Sequence, residues 1–457
     1  MAASRINPST GFITNPVNNF MIRFGHLKAV VDVASPRSEP AEKLAKRLYE
    51  RIGNRFNLPA GHNPSLSAYI AAKLFEGRKR RSRYPDLAFE ERAGQHILVW
   101  NAGPSKGQAV DSYPVECQDA YLADSSLPSN LGAVGRENAL ELVNWAGWLG
   151  LINGQRYSIQ SMGQVLRILT PPIEKQAFSQ FSTASNPYTV LRQRLFFLYL
   201  LLLTDGEILC RLYPRLLEMR KFSRMEAVVP FRDTLGEIRE LLRRAGSLRY
   251  LQRMRELKNL TDTIETERTR SNLRGTRAIT GMQRVSPRLE NMVDIGILEN
   301  TSANLYGLKL QYEYRINDLT EKFVRSIAPQ AGRLDTFLST EFFRAAAQVY
   351  GLKYRPASDP DVIFGLFVSA YQRFPRELGG KPIPMLSLVA AADALESGLG
   401  SFELSSVFPV LEEISKRHPG KVRMSGGHIG GRLEFVSIDD AIVESYRMRV
   451  GDAEVER

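Results

Sequence analysis

The sequence contains few cysteines and few histidines. Its 457 residues include two cysteines and five histidines, and no two histidines share the spacing of metal ligands. Two cysteines exclude both a disulfide scaffold and a four-cysteine zinc site. The residues flanking Cys117 and Cys210 are typical of packed positions, which fits a reducing cytosol. We therefore expect a cytoplasmic protein without a metal centre.

The sequence also lacks a long hydrophobic run. The longest such run is Leu195–Leu203, nine residues, whereas a helix that crosses a bilayer needs about 20. The N-terminal stretch Met1–Asn19 is polar and has no apolar core of the kind found in signal peptides. Neither end carries a lipidation motif. The run predicts a buried helix, and we expect no membrane contact.

Recognisable enzyme motifs are missing as well. The glycines between Gly426 and Gly431 are not followed by the Lys-Ser/Thr pair of a phosphate-binding loop, and no Gly-x-Ser-x-Gly elbow occurs. The acids Asp86, Glu90 and Glu91 lack the order found in metal-dependent nucleases. We expect no cofactor and no catalytic residue, although an active site assembled only in space would escape this search.

Positive charge, by contrast, is abundant and unevenly placed. Lys plus Arg number 61 and Asp plus Glu number 49, so the formal net charge is +12. Residues 191–290 contain 21 basic and 12 acidic residues, a net charge of +9. Nucleic acid would neutralise such an excess, and so would an acidic partner protein. Alternatively, Glu237 and Glu240 could pair with Arg239, Arg243 and Arg244 along one helix face.

A second basic cluster is the run Arg78–Arg83, in which five of six residues are positively charged. Such a run is typical of a solvated loop, and it would also suit contact with phosphates. Both interpretations remain open from the sequence.

A pattern of helices followed by a two-stranded ribbon occurs three times. The first copy spans Leu127–Leu169. There, Gly135–Leu149 is amphipathic and Asn153-Gly154 is a strong hairpin signal. Within that helix Trp145 and Trp148 are three residues apart, so we expect one in the core and the other at least half buried.

The second and third copies lie further along the chain. The second spans Ile279–Ile316, where Ser286-Pro287 predicts a helix start. The third spans Pro384–Ile438, where His418-Pro419-Gly420 predicts the end of a helix that begins near Glu403. Between the first two copies lies a helical stretch, and Gly246 or Ser247 is expected to divide it.

These three copies resemble the winged-helix superfamily in layout. The resemblance covers roughly a third of the chain and implies that a helix enters the major groove of DNA while the ribbon reaches neighbouring phosphates. It equally allows modules that only dock other proteins. The second copy has the best-placed basic residues, whereas Glu412 and Glu413 weaken the helix of the third.

The candidate nucleic-acid-binding residues follow from these clusters. They are Arg78, Lys79, Arg80, Arg81, Arg83, Arg243, Arg244, Arg249, Arg253, Arg277, Arg284, Arg288, Lys421, Arg423 and Arg432.

The sequence thus predicts a mainly α, multidomain helical protein with two or three winged-helix modules and small β-ribbons. The predicted divisions are an N-terminal α/β region with the basic loop (1–120), a winged-helix module (121–180), a basic helical segment (181–270), a candidate winged-helix module (271–330) and a helical region ending in a winged-helix module (331–457).

The predicted function is non-catalytic DNA binding, as a recognition or adaptor subunit of a DNA-handling assembly such as a bacterial anti-phage or chromosome-organising system. DNA and protein partners are expected, and the oligomeric state is left open. The alternatives are a scaffold that binds only proteins and, third, an unrecognised metal-dependent nuclease.

Overall fold

The structure is a computed structural model, mainly helical with small antiparallel sheets, which confirms the predicted mainly α class. It describes residues 24–52, 87–92, 95–108, 136–169, 191–246, 250–274, 279–303, 311–375, 380–398, 400–426 and 433–446. Three units follow one another along the chain: the N-terminal unit (residues 24–160), the central unit (191–315) and the C-terminal unit (360–438).

The N-terminal unit combines helices that are far apart in sequence. Its elements are α1 (Phe24–Val33), α2 (Ala41–Ile52), the paired strands β1 (Leu87–Arg92) and β2 (Gln95–Trp100), and α3 (Arg136–Trp148). Helix α3 packs against α1 and α2, across the boundary predicted near residue 120. The sequence pattern did not reveal this contact because residues 53–135 separate α2 from α3.

The chain between α1 and α2 bends at residues 36–37 and is hydrogen-bonded to the chain after α3. The Ile159 amide donates to the Ser35 carbonyl (2.8 Å), and the Glu39 amide donates to the Arg156 carbonyl (3.0 Å). Ile152 also forms an antiparallel bridge with Ile159 around the predicted Asn-Gly turn. The segment after the turn, which contains Arg156 and Ile159, therefore lies between the α1–α2 connection and the segment that contains Ile152. Helix α4 (Ser161–Leu169) follows directly.

The central unit has the same order of elements. They are α5 (Leu191–Met219), β3 (Lys221–Ser223), α6 (Val228–Ala245), α7 (Leu251–Arg274), α8 (Ile279–Asp294), β4 (Glu299–Ala303) and β5 (Gln311–Arg315). Strand β5 pairs antiparallel with both β3 and β4. The Phe222 and Tyr314 rings stack across the β3–β5 pair, with centroids 5.8 Å apart.

Three short helices connect the central and C-terminal units. They are α9 (Asp318–Ile327), which continues into a 3-10 turn (Ala328–Gln330), α10 (Leu334–Thr340) and α11 (Phe342–Val349). The Asn317 side chain accepts from the Thr320 amide and caps α9. Buried Glu403 accepts from the amides of Phe343 (3.0 Å) and Arg344 (2.8 Å), so it caps α11 from a distant part of the chain.

The C-terminal unit repeats the order once more. Its elements are α12 (Pro360–Arg373), β6 (Lys381–Pro382), α13 (Ile383–Ser397), a 3-10 turn (Leu404–Ser406), α14 (Val407–Arg417), β7 (Val422–Gly426) and β8 (Leu433–Ile438). Strand β8 pairs antiparallel with both β6 and β7. A further helical segment begins at residue 440.

The three units thus share one order of elements: helix, connecting segment, helix, helix and hairpin. In the central and C-terminal units the return strand lies in the middle of a three-stranded sheet. In the N-terminal unit one isolated bridge and two backbone hydrogen bonds give the returning chain the corresponding position. They differ mainly in what separates the second and third helices. That insertion is residues 53–135 in the N-terminal unit, helix α7 in the central unit and a short 3-10 turn in the C-terminal unit.

Helix α5 lies at the centre of the core. The apolar run Leu195–Leu203 is largely buried, as predicted. Phe24 of α1 stacks between Phe197 (4.2 Å) and Trp145 (5.7 Å), and its amide donates to Asp294 of α8 (2.8 Å). The N-terminal and central units therefore share a core. Within the described ranges, no helix has both the length and the apolar character that crossing a bilayer requires.

Two predicted helix boundaries had different outcomes. Gly246 ends α6 in the left-handed conformation (φ 64°) and donates to the Arg243 carbonyl, as expected of a helix-stopping glycine. The predicted start at Ser286-Pro287 is wrong, because α8 begins earlier, at Ile279. There the Thr280 amide donates to Glu267 of α7 (2.8 Å), which satisfies one of the first backbone donors of the helix.

Gly163 provides a test of the packing between α4 and the N-terminal hairpin. A Cβ at this position would lie 2.1 Å from the Leu151 carbonyl oxygen. Because that oxygen belongs to the backbone, relieving the clash would require a costly shift of the hairpin or of α4. We expect Gly163→Ala to lower the free energy of unfolding by about 2–3 kcal/mol. Urea unfolding followed by circular dichroism measures this change.

Gly236 is the matched control for that substitution. It lies within α6, and an added Cβ would meet no described atom within 4 Å. Gly236→Ala should raise the free energy of unfolding by about 0.5–1 kcal/mol, because alanine restricts the unfolded chain. Equal effects of the two substitutions would contradict the contact between Gly163 and Leu151.

Candidate nucleic-acid interface

Several candidate residues lie outside the described ranges. They are Arg78, Lys79, Arg80, Arg81, Arg83, Arg249, Arg277 and Arg432. The remaining candidates fall in three different environments: an exposed helix end, a buried cluster and an exposed hairpin.

Arg243 and Arg244 lie at the exposed end of α6. Their side chains are 70% and 71% exposed, and both bind Glu240 at 2.7 and 3.1 Å. The hydrogen bond from Arg243, with a weaker one from Arg244, lowers the pKa of Glu240 to about 2. This is the helix-face pairing that the sequence left open, and it leaves one net positive charge for phosphate.

Much of the remaining positive charge of the central unit is also paired internally. Arg211 and Arg215 both bind Glu237, Arg224 binds buried Glu290, Arg232 binds Asp233 and Glu265, and Lys258 binds Asp262. The net charge of residues 191–290 therefore overstates the phosphate-binding capacity of this region.

The predicted DNA-contacting helix of the second copy is mostly buried. Arg288 is only 4% exposed and forms a two-pronged pair with Asp205 of α5 (2.8 and 3.1 Å). Arg284 is half-buried, and Arg253 binds Glu256 (3.2 Å) with most of its side chain covered. Helices α5, α6 and α7 surround α8. The Arg288 side chain is therefore not exposed for contact with the phosphates of a duplex, contrary to the prediction. The sequence could not show this, because Asp205 is distant along the chain.

The C-terminal unit presents an exposed basic surface instead. Lys421 and Arg423 are exposed, as is Lys416 at the end of α14. No ion pair joins any of the three to another residue in the described part of the chain. We call these three residues the C-terminal basic surface.

The fold fixes this surface through its buried side. Val410, Leu411 and Ile414 pack α14 against the core, which turns Lys416 outward. The Ser415 hydroxyl donates to the Val422 carbonyl (2.8 Å) and joins the helix to β7. This positioning role of Ser415 was not predicted, although its place one turn before the His-Pro-Gly stop could have suggested it.

The hairpin aims Arg423 at solvent. Val422 and its partner Ile438 face inward and are buried, whereas Arg423 and its partner Ser437 face outward and are exposed. Acidic residues flank the basic surface, and two of them, Glu413 of α14 and Asp361 of α12, bind Arg417. Arg417 is therefore compensated, and the net positive charge lies toward the hairpin.

The N-terminal unit presents a different surface. Trp145 is buried and Trp148 is 40% exposed, as the sequence predicted. Asn144 is exposed on the same helix, and Gln155 and Arg156 are exposed at the hairpin turn. This surface combines an aromatic ring with amide side chains, and it also includes exposed Glu141 and Arg156.

No group of three or more His, Cys, Asp or Glu side chains is placed to hold a metal ion among the described residues. No protein-family model matches the chain, and neither a curated protein nor a solved structure is significantly similar to it.

Proposed function

We propose that the three units are winged helices and that the protein is a non-catalytic DNA-binding subunit, a recognition or adaptor component of a larger assembly. The shared topology supports this proposal, because a winged helix has a helix, a strand, two further helices and a hairpin whose return strand lies in the middle of the sheet. An anti-phage or chromosome-organising role in the cytoplasm is part of the proposal by analogy of layout only.

The observation that carries DNA binding is the C-terminal basic surface. It combines the exposed end of α14 with an adjacent hairpin, and none of its three cations is paired with an acid among the described residues. The major groove of DNA admits a helix, while a hairpin beside it faces the phosphates. Cations left without acids bind phosphate with release of counterions.

The charges on α14 favour backbone contact over base recognition. Glu412 and Glu413 are exposed on the same helix and would repel phosphates near its middle. Only the last turn and the hairpin can therefore approach the duplex closely. Binding of this kind depends little on sequence.

A second function, protein docking, is favoured by the N-terminal unit. Trp148 is exposed on α3, the helix that would contact DNA in a winged helix. Tryptophan is enriched at the centres of protein interfaces. In our proposal the C-terminal unit binds DNA and the N-terminal unit binds a protein partner.

A salt titration tests DNA binding. We would measure the affinity for a labelled random-sequence duplex of about 30 base pairs between about 50 and 200 mM salt. Three phosphate contacts predict a slope of about −2.5 or steeper in a plot of log affinity against log salt concentration. Absence of binding at the lowest salt would leave docking as the function, and magnesium-dependent cleavage would establish the nuclease alternative.

A further inference from the structure

The N-terminal unit carries an exposed tryptophan at the start of a loop that folds back on its own strand. Trp100 is the last residue of β2 and is 36% exposed. The chain then returns, so that Lys106 forms a parallel bridge with Trp100. Gly103 and Gly107 permit this return because both adopt positive φ (78° and 79°), which glycine does without strain. We call residues 100–108 the Trp100 loop.

Backbone hydrogen bonds fix this loop on both sides of the tryptophan. The Trp100 amide donates to the Gln108 carbonyl (3.1 Å), and the Trp100 carbonyl accepts from the Gly107 amide (2.8 Å). The Gln108 amide also donates to the Ser105 carbonyl (2.9 Å). The backbone positions of Trp100 and Lys106 are therefore set next to each other before any ligand arrives, which lowers the entropic cost of binding.

The charge of the Trp100 loop is of one sign. Lys106 is its single charged residue, and the loop contains no acid. Lys106 is exposed, and neither its side chain nor that of Trp100 forms a hydrogen bond, ion pair or ring contact with any residue in the described part of the chain. The loop thus presents an aromatic ring beside a cation.

The two acids of β1 are placed away from this pair by the strand register. Trp100 pairs with Leu87, so Glu90, three positions further along β1, belongs to the opposite face of the strand pair. Glu91 pairs with His96, four positions from Leu87 and therefore about 13 Å along the strand. Neither position is a neighbour of Trp100 in the ladder.

We propose that the Trp100 loop binds an unpaired base of single-stranded nucleic acid, with the base stacked on Trp100 and the adjacent phosphate at Lys106. Every base has a flat aromatic face, and proteins that bind single strands combine exposed rings with cations along the backbone. A duplex does not offer this contact, because its bases already stack on one another. The site is separate from the C-terminal basic surface and does not depend on the proposed function.

The residues next to the ring favour nucleic acid over a protein partner. Asn101 and Gln108 are exposed in the same loop, and amide side chains can both donate to and accept from the edges of bases. Trp148, by contrast, shares its helix face with exposed Glu141, seven residues earlier, and an acid at that position would repel a phosphate. The two exposed tryptophans therefore have different neighbours and different expected ligands.

The first test measures binding of the full chain to a labelled oligothymidylate of about 12 nucleotides by fluorescence anisotropy at low salt. Trp100→Ala should weaken binding at least about fivefold, because the stacking of one base is lost. Trp100→Phe should keep the affinity within about twofold, since a phenyl ring also stacks. Equal losses in the two variants would indicate a structural role for the tryptophan and would overturn the proposal.

Intrinsic fluorescence supplies a readout that a structural role would not change. Stacking of a base on the indole should quench the emission of the native protein. In Trp100→Phe this quenching should disappear while the oligonucleotide still binds, although Trp145 and Trp148 remain. A native protein whose emission is unchanged when the oligonucleotide is bound would contradict stacking on Trp100.

Lys106→Gln tests the phosphate contact. It should weaken binding about threefold and reduce the slope of log affinity against log salt concentration by about 0.7, the value for one phosphate of a single strand. Lys43→Gln is the matched control, because Lys43 is exposed on α2 and has no side-chain partner among the described residues. Equal effects of the two lysine substitutions would overturn the placement of the phosphate at Lys106.

A parallel titration with oligouridylate identifies the kind of strand. A response to oligouridylate alone that Trp100→Ala reduces would assign RNA, and such a response to oligothymidylate alone would assign DNA. No binding of either oligonucleotide at about 50 mM salt would overturn the proposal and would leave Trp100 as a contact for protein.

The C-terminal basic surface could bind the same oligonucleotides through their phosphates. Oligonucleotide binding that requires Lys416, Lys421 and Arg423 but is unaffected by Trp100→Ala would overturn the present proposal and leave duplex binding intact. Conversely, Trp100→Ala should leave the affinity for duplex DNA unchanged. The two proposals therefore fail independently.

Discussion

Replacing Lys416, Lys421 and Arg423 together with glutamine should weaken binding to duplex DNA roughly 100-fold at low salt. Each of these cations is exposed and unpaired among the described residues, so each is free to meet a phosphate. The salt dependence should also fall by about one unit of slope for each phosphate contact that is lost. Fluorescence anisotropy across a salt series measures both quantities.

The matched control neutralises three exposed arginines of the central unit, Arg243, Arg244 and Arg255. Two of them already share Glu240, so the loss of affinity should be less than about tenfold. Unchanged thermal midpoints in both variants would show that folding is intact. An equal or larger loss in the control would mean that the overall charge of the central unit, and not the C-terminal basic surface, governs binding.

Asp205→Asn should lower the free energy of unfolding by about 3–5 kcal/mol, the largest stability change that we expect for a single substitution in this protein. Asp205 is 1% exposed and holds the buried Arg288 with two contacts. Asparagine keeps the shape of the side chain but removes the carboxylate charge that faces the buried arginine. Denaturation by urea, monitored at several protein concentrations, gives the change.

The double variant Asp205→Asn/Arg288→Met separates charge from packing. Methionine removes the guanidinium charge and fills much of the same volume, so most of the lost stability should return. As a surface comparison, Lys258→Ala breaks an exposed pair with Asp262 and should cost less than about 1 kcal/mol. A double variant no more stable than Asp205→Asn alone would show that the arginine contributes by shape and not by charge compensation.

Local signals in the sequence were sufficient where a few neighbouring residues determine the structure. The chain reversal that begins at Asn153, the stop at Gly246 and the buried run Leu195–Leu203 all depend on short-range chemistry, and all three were predicted. The reversal, however, extends to Ser158 with Tyr157 at positive φ and does not close as a tight Asn-Gly turn. Exposed Lys421 and Arg423 follow in the same way from a helix stop and an alternating strand.

Long-range pairing was not predictable from the sequence. The partners of α3 lie before residue 53, and no periodic signal connects them across the insertion. Arginine is usually a surface residue, and Arg288 can lie in the core because Asp205 lies opposite it. The sequence shows how many charges there are, whereas the pairing of those charges requires the fold.

The position of Phe24 also has a consequence for synthesis on the ribosome. Its ring fits between Trp145 and Phe197, and its amide bonds to Asp294. Helices α1 and α2 are made before α3 and the central unit, so the contacts of α1 and α2 with these elements form only after the later elements have been translated. Chains normally fold from the N-terminus as they emerge. Here, however, α1 and α2 complete their packing only after α3 and the central unit have been made. Chaperone binding during translation is therefore expected on α1 and α2 until these partners have been made, whereas the C-terminal unit, whose elements are close in sequence, should fold quickly once it has been made.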